Sequence, residues 1–434
     1  MKRTTVILGA GAVLDFNFSV ITFPSTSNIT EKIVDIKVQG LDVDQSDLIS
    51  VVYKRIKESG DQIYLQRELQ RQFTYHVNFE ELFFTLETLY SFNGTFQNEY
   101  LSPLIRPFVA SLVKPIDEIQ QFPSIEYYRA LLAITKAIIE IIDEYDSRFL
   151  SDDNNEIWYR KFWSDDPNKW DIFTFNYDNT VENSLQDFED GYESSSYGDD
   201  YEHFNPVKLI TNSRKLSTIH HLHGSTRYSE VNSGTYEWDH SRRDMYKVQS
   251  SEEAIKYLGV QCCPYNQANE LYINSPIIIG LRKLDKLTFL PFSVYHANLV
   301  NKIIANSSLL IVGYSFGDLY ANQLIERHSL IHGSKQRIVL IDKFPQYIET
   351  PGQLYRYIKD CISGEAHQFL HRQLKFRISD DFKICGLNIE NYDSPIFSDD
   401  GRFMLLICGF KKAVELHKKL ITDFLLGCCG SHDM

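Results

Sequence analysis

Ser308-Leu309-Leu310-Ile311-Val312-Gly313-Tyr314-Ser315-Phe316-Gly317-Asp318 is the stretch on which the fold turns. A short apolar run of buried-strand type is closed by glycine, and Asp318 stands where a helix cap belongs. A helical pattern continues to about Leu330, and Arg337-Ile338-Val339-Leu340-Ile341 then supplies a second strand ending at Asp342. Strand, glycine turn, helix and strand make a βαβ unit. That unit predicts an α/β fold: a Rossmann-like, mostly parallel sheet flanked by helices. Such sheets bind ligands beyond the carboxyl ends of their strands. There the Gly313–Asp318 turn offers backbone donors, the Ser315 hydroxyl and a helix N-terminus to one anion.

Three further strand ends carry polar or glycine-rich motifs. Thr4–Leu8 is followed by Gly9-Ala10-Gly11, and Trp170-Asp171-Ile172-Phe173 by Thr174-Phe175-Asn176-Tyr177-Asp178. Leu216–His220 leads into His221-Leu222-His223-Gly224. Each has a structural explanation when taken singly. Leu14 occupies the sixth position of a G-x-G-x-x-G pattern, so the ordinary dinucleotide fingerprint fails and a tight turn explains the glycines equally well. Asn176 suits a turn, Asp178 suits the cap of a helix over 179–186, and His223 suits a satisfied structural histidine. Together they place an Asn, an Asp and a His in one crevice beside two glycine turns. Gly313 to Gly317 also superficially matches a hydrolase nucleophile elbow, with Asp342 and His367 or His371 as partners. That reading leaves the Asn-Tyr-Asp and His-Gly motifs unexplained.

Elsewhere, residues 20–42 read as a loop around Pro24. From Asp44 to about Leu150 the pattern is helical, with helices expected over 76–92, 101–114 and 124–150, and this block reads as an insertion. The acidic, Gly/Ser/Tyr-rich stretch 183–203 reads as a solvated loop. Val207–Ile210 and Pro276–Ile279 read as strands, and 293–305 and 410–426 as helices. The expected organisation is a catalytic unit over 1–345, including the insertion, and a small C-terminal extension over 346–434 serving oligomerisation or partner binding.

The chain has 434 residues and a net charge of −14, which argues against a general nucleic-acid surface. No run approaches the ~18 apolar residues of a membrane span. Lys2-Arg3 and the apolar residues after it are ended by Asp15, and read as a first strand rather than a secretory leader. None of the seven cysteines forms a Cys-x-x-Cys pair, so no metal is expected, and their scattered, odd number suits a reducing cytoplasm.

The order Gly-Ala-Gly, Thr-x-Asn-Tyr-Asp, His-Gly, Gly-x-Ser resembles the sirtuin superfamily, and is similar to the sirtuin-like NADase domains of bacterial anti-phage defence systems. The resemblance implies that NAD is the substrate. It implies that Gly9, Ala10 and Gly11 hold the pyrophosphate, and that Asp15 and Phe16 begin a flap over the nicotinamide pocket. Asn176 would orient the ribose and the attacking water, Asp178 would hold the carboxamide, and His223 would be the general base. Gly313 and Ser315 would contact phosphate and ribose, and Asp342 the adenosine ribose. Thr174, Tyr177, Gly224 and Phe316 complete the expected NAD-binding set. Two departures favour NAD hydrolysis over lysine deacylation: the zinc region holds only the adjacent Cys262 and Cys263, and Asn17 replaces the arginine found after Asp-Phe in many sirtuins. The implied setting is abortive infection, with a homo-oligomer or a partner from the same operon as the switch. A pocket that senses NAD or ADP-ribose without turnover, and a zinc-less deacylase, are the alternatives.

Overall fold

The computed structural model describes residues 2–16, 24–39, 45–67, 75–97, 124–151, 153–164, 169–194, 200–230, 244–258, 275–280, 287–362, 364–374 and 391–428. Its strands are β1 (Arg3–Leu8), β2 (Lys169–Thr174), β3 (Phe188–Glu189), β4 (Tyr192–Ser194), β5 (Tyr201–Phe204), β6 (Ser217–His221), β7 (Tyr228–Ser229), β8 (Tyr246–Val248), β9 (Ser308–Val312), β10 (Arg337–Ile341), β11 (Ile396–Phe397) and β12 (Phe403–Leu406). Its helices are α1 (Thr26–Val34), α2 (Leu48–Arg67), α3 (Phe79–Gln97), α4 (Ser124–Ser151), α5 (Asp153–Ser164), α6 (Thr180–Ser184), α7 (Pro206–Asn212), α8 (Ser251–Lys256), α9 (Phe292–Ala305), α10 (Leu319–His332), α11 (Pro351–Cys361), α12 (Gly364–Leu374) and α13 (Phe410–Leu426).

The main sheet runs β11-β12-β10-β9-β1-β2-β6-β3 and is parallel except for β11. Both faces are covered, so β9, β10 and β12 are near-continuous apolar runs rather than alternating with polar residues. In β1, Ile7 faces one core with Phe292, Leu299 and Ile325 of α9 and α10. Val6 and Leu8 face the other, with Tyr159, Phe162, Phe410 and Phe424 of α5 and α13. From β1 the chain goes to β2 on one side and later to β9 on the other, so the topological switch point lies at β1/β9.

A third core joins α1, α2, α3 and the first part of α4. The insertion therefore has its own interior. It begins earlier than its periodicity suggested: residues 26–34, read as loop, form α1, whose cap Ser25 accepts from the Asn28 N–H at 3.3 Å. The 28-residue α4 belongs to both regions, with Leu131 and Ile138 in the helical core and Tyr145 and Phe149 under the sheet.

Three other expectations change. Val207–Ile210 is helical: Asn205 accepts from the N–H groups of Val207 and Lys208 at 3.0 and 3.2 Å, and Pro206 starts the helix. Residues 183–203 are not simply a solvated loop. They supply β3 and β4, and Glu189 and Asp190 are buried. Finally, residues after 345 build the sheet itself: β12 pairs in parallel with β10, and Ala413, Val414 and Ile421 of α13 enter the core beneath it. The helix expected over 101–114 lies outside the described residues. Among those residues, no helix is long and apolar enough to cross a membrane.

Candidate functional site

Register puts the carboxyl ends of five parallel strands level. Leu8 pairs with Thr174 and Val312, Thr174 with His221, and Val312 with Ile341. The ladder extends one step beyond them: Phe175 N–H donates to Leu8 O, Leu222 N–H to Thr174 O and Gly313 N–H to Ile341 O, each at 2.9 Å. Gly9, Asn176, His223, Gly313 and Asp342 are therefore all within two residues of one rim.

At the switch point the two glycine turns touch backbone to backbone. A Cβ on Gly313 would sit 2.1 Å from Gly11 C, and one on Gly9 2.5 Å from Gly313 O. Gly313 also has φ +55. These contacts account for glycine at all three positions. They also use donors that an anion was expected to take, since Gly9 N–H goes to Val312 O at 3.0 Å and Gly11 N–H to Gly313 O at 2.9 Å. Ala10 is exposed at the turn's tip.

Asn176 is half-buried, and its Nδ2 donates to Gly9 O at 3.1 Å. Its own N–H donates to Thr174 Oγ1 at 3.0 Å, which fixes the main chain as it leaves β2. Tyr177 donates to Ile278 O at 3.1 Å. Asp178 is buried and accepts from Thr180 Oγ1 and N–H at 2.5 and 3.2 Å. Burial raises its carboxyl above the ordinary value, against these bonds and the nearby His221.

His223 is 6 % exposed, with Nε2 3.4 Å from Asp318 Oδ2. Its ring meets Phe175 edge-on at 4.8 Å, and Phe175 stacks on Tyr314 at 5.0 Å. One aromatic column thus ties the turns after β6, β2 and β9 together. Gly224, with φ +89, lets Pro276–Ile279 pass close by, and Ile278 N–H donates to His223 O at 2.7 Å. That segment was expected as a strand. Among the described residues it makes a single bridge, Gly224 to Ile277, but its side chains alternate as a strand's do: Ile278 faces the sheet core, and Ile277 and Ile279 the helical core.

Asp318 is the residue whose importance a single-residue reading misses. Oδ1 caps α10 by accepting from Ala321 N–H at 3.0 Å, while Oδ2 faces His223. The helix N-terminus is thereby already occupied by a carboxylate, and the His–carboxylate pair has the form of a base with its orienting group. Ser315 is exposed, and Phe316 is held at φ +57, which is strained for a bulky residue. Asn322 Nδ2 donates to Phe316 O at 2.7 Å, and Phe369 packs on its ring at 5.0 Å.

Asp15 and Phe16 are anchored. Asp15 pairs with Lys343 at 2.9 Å and accepts from Lys411 N–H at 3.1 Å. Phe16 packs on Phe149 and Tyr159 at 4.7 and 5.1 Å. Asn17 and the flap expected after it lie outside the described residues. Asp342, half-buried at the end of β10, has its carboxyl pushed up to about 6 by burial, and accepts from Lys343 N–H at 2.8 Å.

The helical region reaches the site through Asp146 of α4. Asn179 donates to Asp146 Oδ2 from its N–H at 2.8 Å and from Nδ2 at 3.1 Å. Asn179 Nδ2 also donates to Thr226 Oγ1 at 2.8 Å, and its Oδ1 accepts from Ser225 Oγ at 2.7 Å. Burial, and then the neighbouring Asp178, raise the Asp146 carboxyl well above its ordinary value.

Among the described residues, no group of three or more His, Cys, Asp or Glu side chains is placed to hold a metal ion. Cys262 and Cys263 lie outside the described residues. No curated protein matches the chain. A family model, SIR2-like domain, matches residues 171–360. The match covers the Asn-Tyr-Asp, His-Gly and Gly-x-Ser turns, while Gly9-Ala10-Gly11 falls before it. With the mostly parallel sheet and these motifs on its rim, the chain contains a sirtuin-like domain.

Proposed function

We propose that this protein hydrolyses NAD at the nicotinamide–ribose bond, giving nicotinamide and ADP-ribose. The observation that carries the reading is that Asn176, held to Gly9 O, and His223, backed by Asp318, stand on one rim beside the switch point. Loss of nicotinamide leaves an oxocarbenium-like ribose that a water must intercept. Asn176, from half-buried polar ground, places that water and the ribose. His223 takes a proton near neutral pH, with Asp318 orienting its ring. Asp178 holds the carboxamide of the leaving group, and Asp342 the adenosine ribose. Rate comes largely from positioning the water against the anomeric carbon.

The chain would act in anti-phage defence by depleting NAD, with low resting activity and assembly with itself or a partner as the switch. The test is to incubate the purified chain with NAD, alone and with the products of adjacent genes, and follow nicotinamide. Asn176→Ala and His223→Ala should each abolish release, and full activity in either variant would refute the assignment. Acetyl-ADP-ribose formed from an acetylated peptide would support the deacylase instead. Thermal stabilisation by NAD that is recovered intact would support a sensor.

A further inference from the structure

His221, the last residue of β6, is 1 % exposed and has no part in the steps above. Its Nε2 lies 3.0 Å from Glu182 Oε1, and its Nδ1 3.4 Å from the main-chain oxygen of Asn176. Neither oxygen has a hydrogen to give. Burial works against ionisation of Glu182, but Lys247 and then His221 hold its carboxyl well below the ordinary value. A neutral imidazole carries one N–H and one lone pair. In the neutral ring, one of the two contacts would set a lone pair against an oxygen.

Charge balance points the same way. Lys247 Nζ contacts Glu182 Oε2 at 3.0 Å and Asp190 Oδ2 at 2.6 Å, with all three side chains at most 11 % exposed. Two carboxylates on one ammonium leave a net buried negative charge, which is costly unless paired. An imidazolium at His221 cancels it. The other charged groups acting on this cluster are Asp178, which feels His221, Arg227, which feels Glu182, and Glu202, which feels Lys247, Asp190 and Glu182. On the remaining sides, Tyr228 presents its ring at 5.9 Å, and burial lowers His220 to about 4, so that it stays neutral.

We propose that His221 is a positioning residue, a buried imidazolium clamped by Glu182, that fixes the Asn176 main chain and so aims the Asn176 amide at the reacting ribose; this rests on the NAD-hydrolase reading. Because Lys247 of β8, held by Asp190, anchors Glu182 to the small antiparallel sheet β4-β5-β8-β7, that sheet becomes a brace for the site. The clamp needs a proton on both ring nitrogens, so this contribution should vanish wherever the ring gives one up.

The test has two arms. In the first, histidine-selective ¹⁵N labelling of the wild type, with the His221 signal assigned by its loss in His221→Asn, reads the ring directly. Both nitrogens should be protonated at neutral pH. In the second, kcat and KM for NAD are compared across pH. His221→Leu should lower kcat roughly 10–100-fold with little change in KM. His221→Asn, whose amide can replace the Nδ1 donor, should recover most of kcat and lack the alkaline decline of the wild type. Glu182→Gln should move that decline to lower pH. A neutral ring in an active wild type overturns the proposal alone, as does an alkaline limb unchanged in His221→Asn and Glu182→Gln. Absence of NAD cleavage in the wild type overturns the hydrolase reading with it. If His221→Leu does not fold, the other two variants decide through the limb.

Discussion

Gly313→Ala tests whether the two glycine turns are as tightly opposed as the rim requires. The new Cβ would meet Gly11 C at 2.1 Å and Ala12 N at 2.2 Å, both main-chain atoms that cannot swing aside. It would also be held at φ +55. The left-handed conformation costs about 1–2 kcal/mol for a residue with a Cβ, and forced overpacking roughly 1–3 kcal/mol more. The expected loss is the sum, about 2–5 kcal/mol. Gly427→Ala is the matched control. Gly427 is left-handed at φ 70 and ψ 27 at the end of α13, and the nearest atom to its Cβ is the flexible Lys2 Nζ at 3.5 Å. It should lose only the left-handed cost of about 1–2 kcal/mol. Denaturant unfolding of the two variants beside the wild type gives both values, and NAD binding by Gly313→Ala should weaken where Gly427→Ala leaves it intact. Equal destabilisation by the two substitutions would show that the turns do not touch, and would remove the link from β9 to the Asn176 anchor at Gly9.

Asp146→Asn should flatten the pH dependence of stability. A carboxyl raised in the folded state stabilises below its unfolded value of about 4 and loses that contribution as pH rises through the folded value. The amide keeps the oxygen that Asn179 needs, so the variant should melt at or above the wild type at pH 7 and differ little at pH 4; a lower melting temperature at pH 7 would count against it. Asp171→Ala should cost about 3 kcal/mol, because the half-buried Arg3 and Lys302, at 2.6 and 3.0 Å from its buried carboxylate, lose their shared partner. Burial alone would raise the Asp171 carboxyl, but Arg3 and Lys302 hold it low, so wild-type stability from this group should be lost on acidification and the variant should lack that loss. Phe16→Ala should cost about 3–5 kcal/mol by opening the aromatic cluster with Phe149, Trp158 and Tyr159; a loss under 1 kcal/mol would mean the residue is not anchored there.

The fold was legible where local pattern and tertiary structure agree. Leu309–Val312 and Ile338–Ile341 are short, wholly apolar and bounded by polar or turn residues, so strand, turn and helix followed from period and punctuation. The rim motifs were legible for the same reason, because each directly follows such a strand. What was not legible depended on partners far along the chain. Asp190 reads as a solvated acid until Lys247, 57 residues later, is placed at 2.6 Å. His221 looked like a strand residue until Glu182, 39 residues earlier, was found on its ring. Val207–Ile210 misled by apolar content: Val207 and Ile210 are 67 % and 61 % exposed, and the Asn205-Pro206 start signal outweighs them. Asp318 was read correctly as a cap, but one carboxylate has two oxygens, and sequence shows only the use made by its own helix. The paired strand β12 lay beyond a stretch whose periodicity fades after Pro351, so its place beside β10 did not emerge from pattern.

The central claim is that Asn176 and the His223–Asp318 pair cleave the nicotinamide–ribose bond. It is tested most directly by quantifying NAD, nicotinamide and ADP-ribose together in wild type, Asn176→Ala, His223→Ala and Asp318→Asn, in the presence of whatever assembly activates the chain. Nicotinamide and ADP-ribose should rise in equal amounts as NAD falls in the wild type, be absent in the Ala variants and be strongly slowed in Asp318→Asn. NAD recovered intact from the wild type, or equal turnover in all four proteins, would contradict it.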